Sequence, residues 1–162
     1  MQNWMKKLPA DVELNRIPVG FGRATWELYA QAYEAASIMG IADKSHVAMM
    51  DAIWKEHKQM RTMDELADFY AQFGVSKSDF LATAKSFAVD AQMRHNQQMA
   101  RSWGVNGTPT MIVDGKYRVT VGGQVHGFDE MLDVVDYLVD KELSALHMQQ
   151  ADAASAANKT SP

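Results

Sequence analysis

Trp103-Gly104-Val105-Asn106-Gly107-Thr108-Pro109-Thr110-Met111-Ile112-Val113-Asp114-Gly115-Lys116-Tyr117 decides the fold. It follows a long helical pattern and opens on Gly104, a natural helix stop. Thr110–Val113 is a short β-branched and apolar run, suited to a strand. Asp114-Gly115 is a strong hairpin signal, because both central positions of a type I′ turn need positive φ. Tyr117–Val121 reads as the return strand, which Gly122-Gly123 breaks. Pro109 stands at the mouth of the first strand, where it removes a ladder donor. The dipeptide alone does not decide its geometry, since about 5–6% of X-Pro bonds in folded proteins are cis.

Before this stretch the pattern is helical. Trp26, Tyr29, Ala30, Tyr33, Ala36 and Ile38-Met39 share one broad face, ended by Gly40. A second helix is expected over about Lys44–Lys58, with Val47, Met50, Ile53 and Trp54 inward. Thr62-Met63-Asp64-Glu65 has capping-box spacing and precedes Leu66, Phe69, Tyr70 and Phe73. Ser76 starts a further helix whose apolar face is Phe80, Leu81, Ala84 and Phe87. The last of the block is expected over about Val89–Trp103. At the front, Val12–Val19 begins with alternating apolar residues and reads as a strand, with Pro18 at its end or on an edge. After the hairpin, Asp129 is the expected cap of a final helix reaching about Leu146. From 149 to 162 the chain reads as a disordered tail. The fold class is therefore α/β (α+β). It has one N-terminal strand, four to five helices, a β-hairpin and a C-terminal helix, with the helical block inserted into a small mixed sheet.

Composition agrees with one domain: 162 residues, 47% hydrophobic and 22% charged, as in soluble globular chains. A net charge of -4 without basic runs argues against nucleic acid as a partner. No apolar run is long enough for a membrane span. The N-terminus shows no apolar stretch after Lys6-Lys7, so it is not read as a secretory signal. The 12 methionines are expected as packing residues. With no cysteine in the sequence, a disulfide framework and a thiol nucleophile are excluded within it. His46, His57, His95, His126 and His147 lack the i, i+4 pairing of a zinc helix, so no metal is expected. His126, beside the hairpin, is a weak candidate for flanking a substrate groove. No G-x-S-x-G elbow or phosphate loop is present. Trp26, Tyr29 and Tyr33 are read as core, with a peptide-binding face as the minor alternative.

The segment Trp103–Tyr117 resembles the cis-proline strand and hairpin of DsbA-type thiol:disulfide oxidoreductases, whose pattern is G-V-x-G-[VT]-P-x-hydrophobic-hydrophobic-V-[ND]-G-K-Y. Trp4–Val12 is similar to the end of that family's first active-site helix and the strand after it. The resemblance covers residues 2 to 146. It implies a partial thioredoxin fold over 1–148, with a helical insertion at about 24–104 and the C-terminal thioredoxin half at 105–148. It implies a cis bond before Pro109 and a substrate-binding role for Gly107, Thr108 and Pro109. There Thr108 would offer its backbone to an extended cysteine-containing polypeptide, like an added strand. It also implies a periplasmic setting, no cofactor, and a membrane partner that reoxidises the parent protein.

The family's Cys-x-x-Cys pair, and the central strand before it, would precede this chain. Two readings stay open: Met1 is an internal start of a longer protein, or the cysteine-free form is itself a product. The chain alone is expected to be redox-inactive. Two alternatives remain beside it. A kappa-class glutathione transferase or isomerase relative is disfavoured by Val121-Gly122-Gly123-Gln124-Val125 in place of W-G-x-D-R. A non-catalytic interaction module would bind a partner through the helical block.

Overall fold

The computed structural model describes residues 2–159, with side chains described from 3 to 153. It falls into two compact units, Arg16–Asn106 and a second made of 1–15 and 107–162.

The first unit is helical: α2 (Ala24–Ile38), α3 (Ala42–Trp54), α4 (Met63–Tyr70), a 3₁₀ turn (Ala71–Phe73), α5 (Lys77–Ala84) and α6 (Phe87–Ser102). The label α1 belongs to Gln2–Met5 in the other unit. Helix α2 packs against α3, α4, α5 and α6. It does so through Ala30, Ala32, Ala35 and Ala36, whose small side chains let neighbouring helices come close. The core adds Met49, Met60, Leu66, Phe69, Tyr70, Phe80 and Val89. Phe80 is fully buried and stacks on Tyr70, with ring centroids 4.6 Å apart.

Helix starts follow the local chemistry. The amide of Glu65 donates to Thr62 Oγ1 at 3.2 Å, and the Thr62 amide donates to Glu65 Oε2 at 3.0 Å, a complete capping box. The Arg61 amide also donates to Glu65 Oε2, at 2.6 Å. These backbone donors, Arg61's first, hold the Glu65 carboxyl below its ordinary value. Ser76 and Ser86 cap α5 and α6 by accepting from the amides of Asp79 and Val89. Gly74 ends the 3₁₀ turn with φ 94°, a left-handed conformation open to glycine.

Several faces differ from expectation. On α2, Trp26 and Ile38 are exposed, while Ala30 and Ala36 of the expected face are buried together with Ala32 and Ala35. On α3, Val47, Met50 and Trp54 are exposed, while Ala42, Ser45, Met49 and Ala52 are buried. Both helices carry apolar residues over more than one face, and close packing selected the smaller ones. Phe87 belongs to α6 rather than α5. It is exposed, with the Arg94 guanidinium 5.8 Å from its ring.

The second unit holds α1 (Gln2–Met5), β1 (Thr110–Val113), β2 (Tyr117–Thr120) and α7 (Phe128–Lys159). The strands pair antiparallel, with Thr110 opposite Thr120 and Val113 opposite Tyr117. Asp114 and Gly115 take φ of 50° and 65°, the positive values expected of them. The Lys116 amide closes the turn on the Val113 carbonyl at 2.9 Å. The pairing leaves residues 114–116 as a three-residue loop. Val113, Val119, Met131, Leu132 and Val135 form the core, with Trp4, Met111, Tyr117 and Leu138 against it. Trp4 Nε1 donates to Asp136 Oδ1 at 2.6 Å, tying α1 to α7.

The expected N-terminal strand at 12–19 is absent: β1 and β2 make the only sheet among the described residues. Val12 and Leu14 are half-buried while Asp11, Glu13 and Asn15 are exposed, so the alternation persists. A strand also needs a ladder partner, and among the described residues no strand pairs with this segment. The expected tail from 149 is helical through Lys159. Its alanines are strong helix formers, which the low-complexity reading overlooked. Residues 160–162 lie outside the described residues. Asp129 sits inside the first turn of α7. The turn is instead tied by Glu130, whose Oε2 accepts from the His126 amide at 2.6 Å.

Phe80→Ala should cost about 3–5 kcal/mol, because it empties a closed site. Thr62→Ala should cost about 1 kcal/mol through loss of one cap. Urea denaturation followed by circular dichroism checks both, and equal losses would contradict the burial difference.

Candidate substrate-docking site

Gly107-Thr108-Pro109 leads into β1. The Thr108–Pro109 bond is cis, as the resemblance implies. Thr108 and Pro109 are exposed and Gly107 is half-buried. The residues around Thr108 are pinned: Thr110 Oγ1 donates to the Gly107 carbonyl at 2.8 Å, and Thr120 Oγ1 donates to the Pro109 carbonyl at 3.1 Å. Both hydroxyls come from the paired positions Thr110 and Thr120 at the mouth of the hairpin. Thr108 itself makes no hydrogen bond among the described residues. Thr108 is thus an exposed residue, with its amide and carbonyl unpaired among the described residues, between two carbonyls that are held.

The other end of the hairpin carries a separate cluster that sequence reading missed. Lys116 Nζ bridges Asp114 Oδ2, at 2.7 Å, and Glu142. Tyr117 Oη donates to Glu142 Oε1 at 3.0 Å and accepts from Lys141 Nζ at 3.1 Å. Hydrogen bonds donated to Asp114 and then Glu142 push the Lys116 ammonium above its ordinary value, and Lys116 holds the Asp114 carboxyl down. A cavity of about 310 Å³ lies here, lined by Val12, Val113, Lys116, Glu142 and Leu146 among others. None of the three predicted site residues lines it. The only signal for this cluster was i, i+1 charge on α7, which sequence alone cannot aim.

His126 is exposed, with Nδ1 3.2 Å from Glu130 Oε2. Its contact is with the start of α7. His46 packs edge-on to Tyr33 with ring centroids 6.1 Å apart. Burial first, then the Arg16 charge, lowers its proton affinity. Among the described residues, no three His, Cys, Asp or Glu side chains gather as a metal site. Tyr29 is half-buried and its Oη accepts from the Met60 amide at 3.2 Å. Trp26 instead lies exposed beside Trp54, centroids 6.5 Å apart. No helix is long and apolar enough to cross a membrane among the described residues.

Comparison with known proteins agrees with the hairpin reading. The chain is 43% identical over 142 residues to the thiol:disulfide interchange protein DsbA of Pseudomonas aeruginosa, covering 88% of this chain and 66% of that protein. The Burkholderia cepacia DsbA is 30% identical, covering 88% of this chain and 68% of its own length. The chain thus spans about two thirds of the length of these relatives. Among solved structures, Xylella fastidiosa DsbA superimposes with a TM-score of 0.81 at 36% identity, over 88% of this chain and 75% of that one. Pseudomonas aeruginosa DsbA gives 0.79 at 42% identity, over 90% and 74%. The DSBA-like thioredoxin domain family matches residues 1–139, and the chain, though it contains no cysteine, belongs to that family.

Proposed function

We propose that this chain is the positioning part of a DsbA-type protein thiol:disulfide oxidoreductase, which presents an extended polypeptide to a cysteine pair that the chain does not contain. The observation that carries the reading is the exposed residue Thr108, its backbone unpaired among the described residues, held between Gly107 and Pro109. An amide donor and a carbonyl acceptor on an extended segment are what strand addition requires. Gly107 would support close approach, Pro109 withholds a competing donor, and the Thr108 hydroxyl would tune a cysteine's environment in the complete protein.

In the complete oxidoreductase, a substrate thiolate would attack one sulfur of the enzyme disulfide and release the other as thiolate. A second substrate thiolate would then attack the mixed disulfide. The substrate gives up two electrons and two protons, and the enzyme pair takes up the electrons. No cofactor enters either step. The setting would be the periplasm, where disulfides persist, and a membrane partner would reoxidise the pair.

Two results follow. The purified 162-residue chain should oxidise a model dithiol no faster than buffer, since no sulfur nucleophile is present; any turnover above buffer would refute this. Titration with an extended peptide whose cysteine is alkylated should shift the Thr108 amide resonance. Thr108→Ala should leave the Kd within about tenfold, because the backbone groups remain. An unmoved Thr108 amide at saturating peptide would sink the docking reading.

A further inference from the structure

Helix α2 has a polar stripe on its packed side. Glu27, Gln31 and Glu34 recur at i, i+4 and i+7, the spacing of one helix face. Gln31 Nε2 donates to the Ala84 carbonyl on α5 at 2.7 Å. Glu27 Oε2 accepts from Gln97 Nε2 on α6 at 3.4 Å. Glu34 lies deepest, 5% exposed. Its Oε1 accepts from Asn96 Nδ2 on α6 at 2.6 Å. Asn96 is 2% exposed, and its Oδ1 accepts from Gln92 Nε2 at 2.9 Å. The chain of donors therefore runs from Gln92 through Asn96 to Glu34, its one ionisable member.

A buried carboxylate ordinarily has a cation. Glu34 has none among the described residues. On α2 its neighbour Tyr33 is turned to Arg16 and His46. On α3, Asp43 is paired with Arg16 at 2.9 Å. On α4, Asp64 and Asp68 face Lys77 of α5, and Tyr70 stacks on Phe80. On α5, Asp79 sits in the first turn at the Ser76 cap. On α6, Arg94 lies over Phe87, and Asp90 is exposed in the first turn. Only burial and the Asn96 hydrogen bond act on Glu34, and burial dominates.

We propose that the α2–α6 seam is a pH-responsive joint, closed tightly when Glu34 carries a proton and loosened when Glu34 ionises. A neutral carboxyl still accepts from Asn96 and brings no charge into the core. An ionised one has a single neutral donor to replace its lost water, which does not compensate a buried charge. The sign follows from linkage. Burial raises the folded-state carboxyl above its unfolded value. Its stabilising effect is full below the unfolded value and is lost as pH climbs from there through the raised folded value.

The test is urea denaturation of the full chain from pH 4 to pH 8, comparing wild type with Glu34→Gln, which keeps the acceptor and removes the charge. The ratio of their unfolding constants, wild type over variant, should rise with pH by up to about tenfold per pH unit between the two values of the carboxyl, then level off. A ratio flat across the range would overturn the proposal. Should the variant not fold, the wild type supplies the second measurement. The Glu34 Cδ resonance should titrate above the ordinary glutamate range, with amide exchange in α2 and α6 quickening over the same interval. A midpoint at or below the ordinary range would overturn it equally.

Discussion

A two-stranded hairpin is marginal in water by itself, and everything the β1–β2 hairpin presents depends on α7 covering one of its faces. Val113 and Val119, on opposite strands but the same face of the ribbon, meet Met131, Leu132 and Val135. Each fully buried side chain of this size contributes about 1.5–3 kcal/mol. The exposed ion pairs of Lys116 are worth far less. The apolar contact therefore holds the ribbon on the helix, while Lys116, Glu142, Tyr117 and Lys141 fix where along α7 the turn sits. With the far end so fixed, the Thr110–Thr120 pair at the mouth is fixed too, and it pins the carbonyls on both sides of Thr108.

What was legible in the sequence was chemistry that is local. The capping box at Thr62–Glu65, the helix start at Ser76, and the positive φ of Asp114 and Gly115 each rest on residues within four positions of one another. The cis geometry at Pro109 was not local in this sense: the residues left it open, and the family resemblance decided it.

What was not legible depended on a partner. Val12–Asn15 has the burial alternation of a strand and no ladder, because alternation describes one face while a strand also requires an edge to bond. The helix faces failed for a related reason. On α2 and α3 large apolar residues drew the expected core toward Trp26, Val47 and Trp54, yet the buried residues are alanines, Glu34, Ser45 and Met49. Size favours burial of a single residue, but the distance between packed helices favours small ones at the crossing. The number of neighbours around α2 then outweighs the hydrophobicity of its bulkiest side chains.

The same crowding accounts for the polar stripe. A helix surrounded by α3, α4, α5 and α6 has no face left on which Glu27, Gln31 and Glu34 could all reach water. Each must find its hydrogen bond in the packing, and each does, from Gln97, to Ala84 and from Asn96. Gln31 and Glu27 do so at half-buried positions, where solvent completes what the protein leaves. Glu34 has no such supplement, so its protonation state and the fit of α2 against α6 become one variable. By contrast, the docking loop at Thr108 is held by neutral hydroxyls and an apolar seam. The hydroxyls of Thr110 and Thr120 carry no charge, so their hold on the loop does not vary with the charge on Glu34.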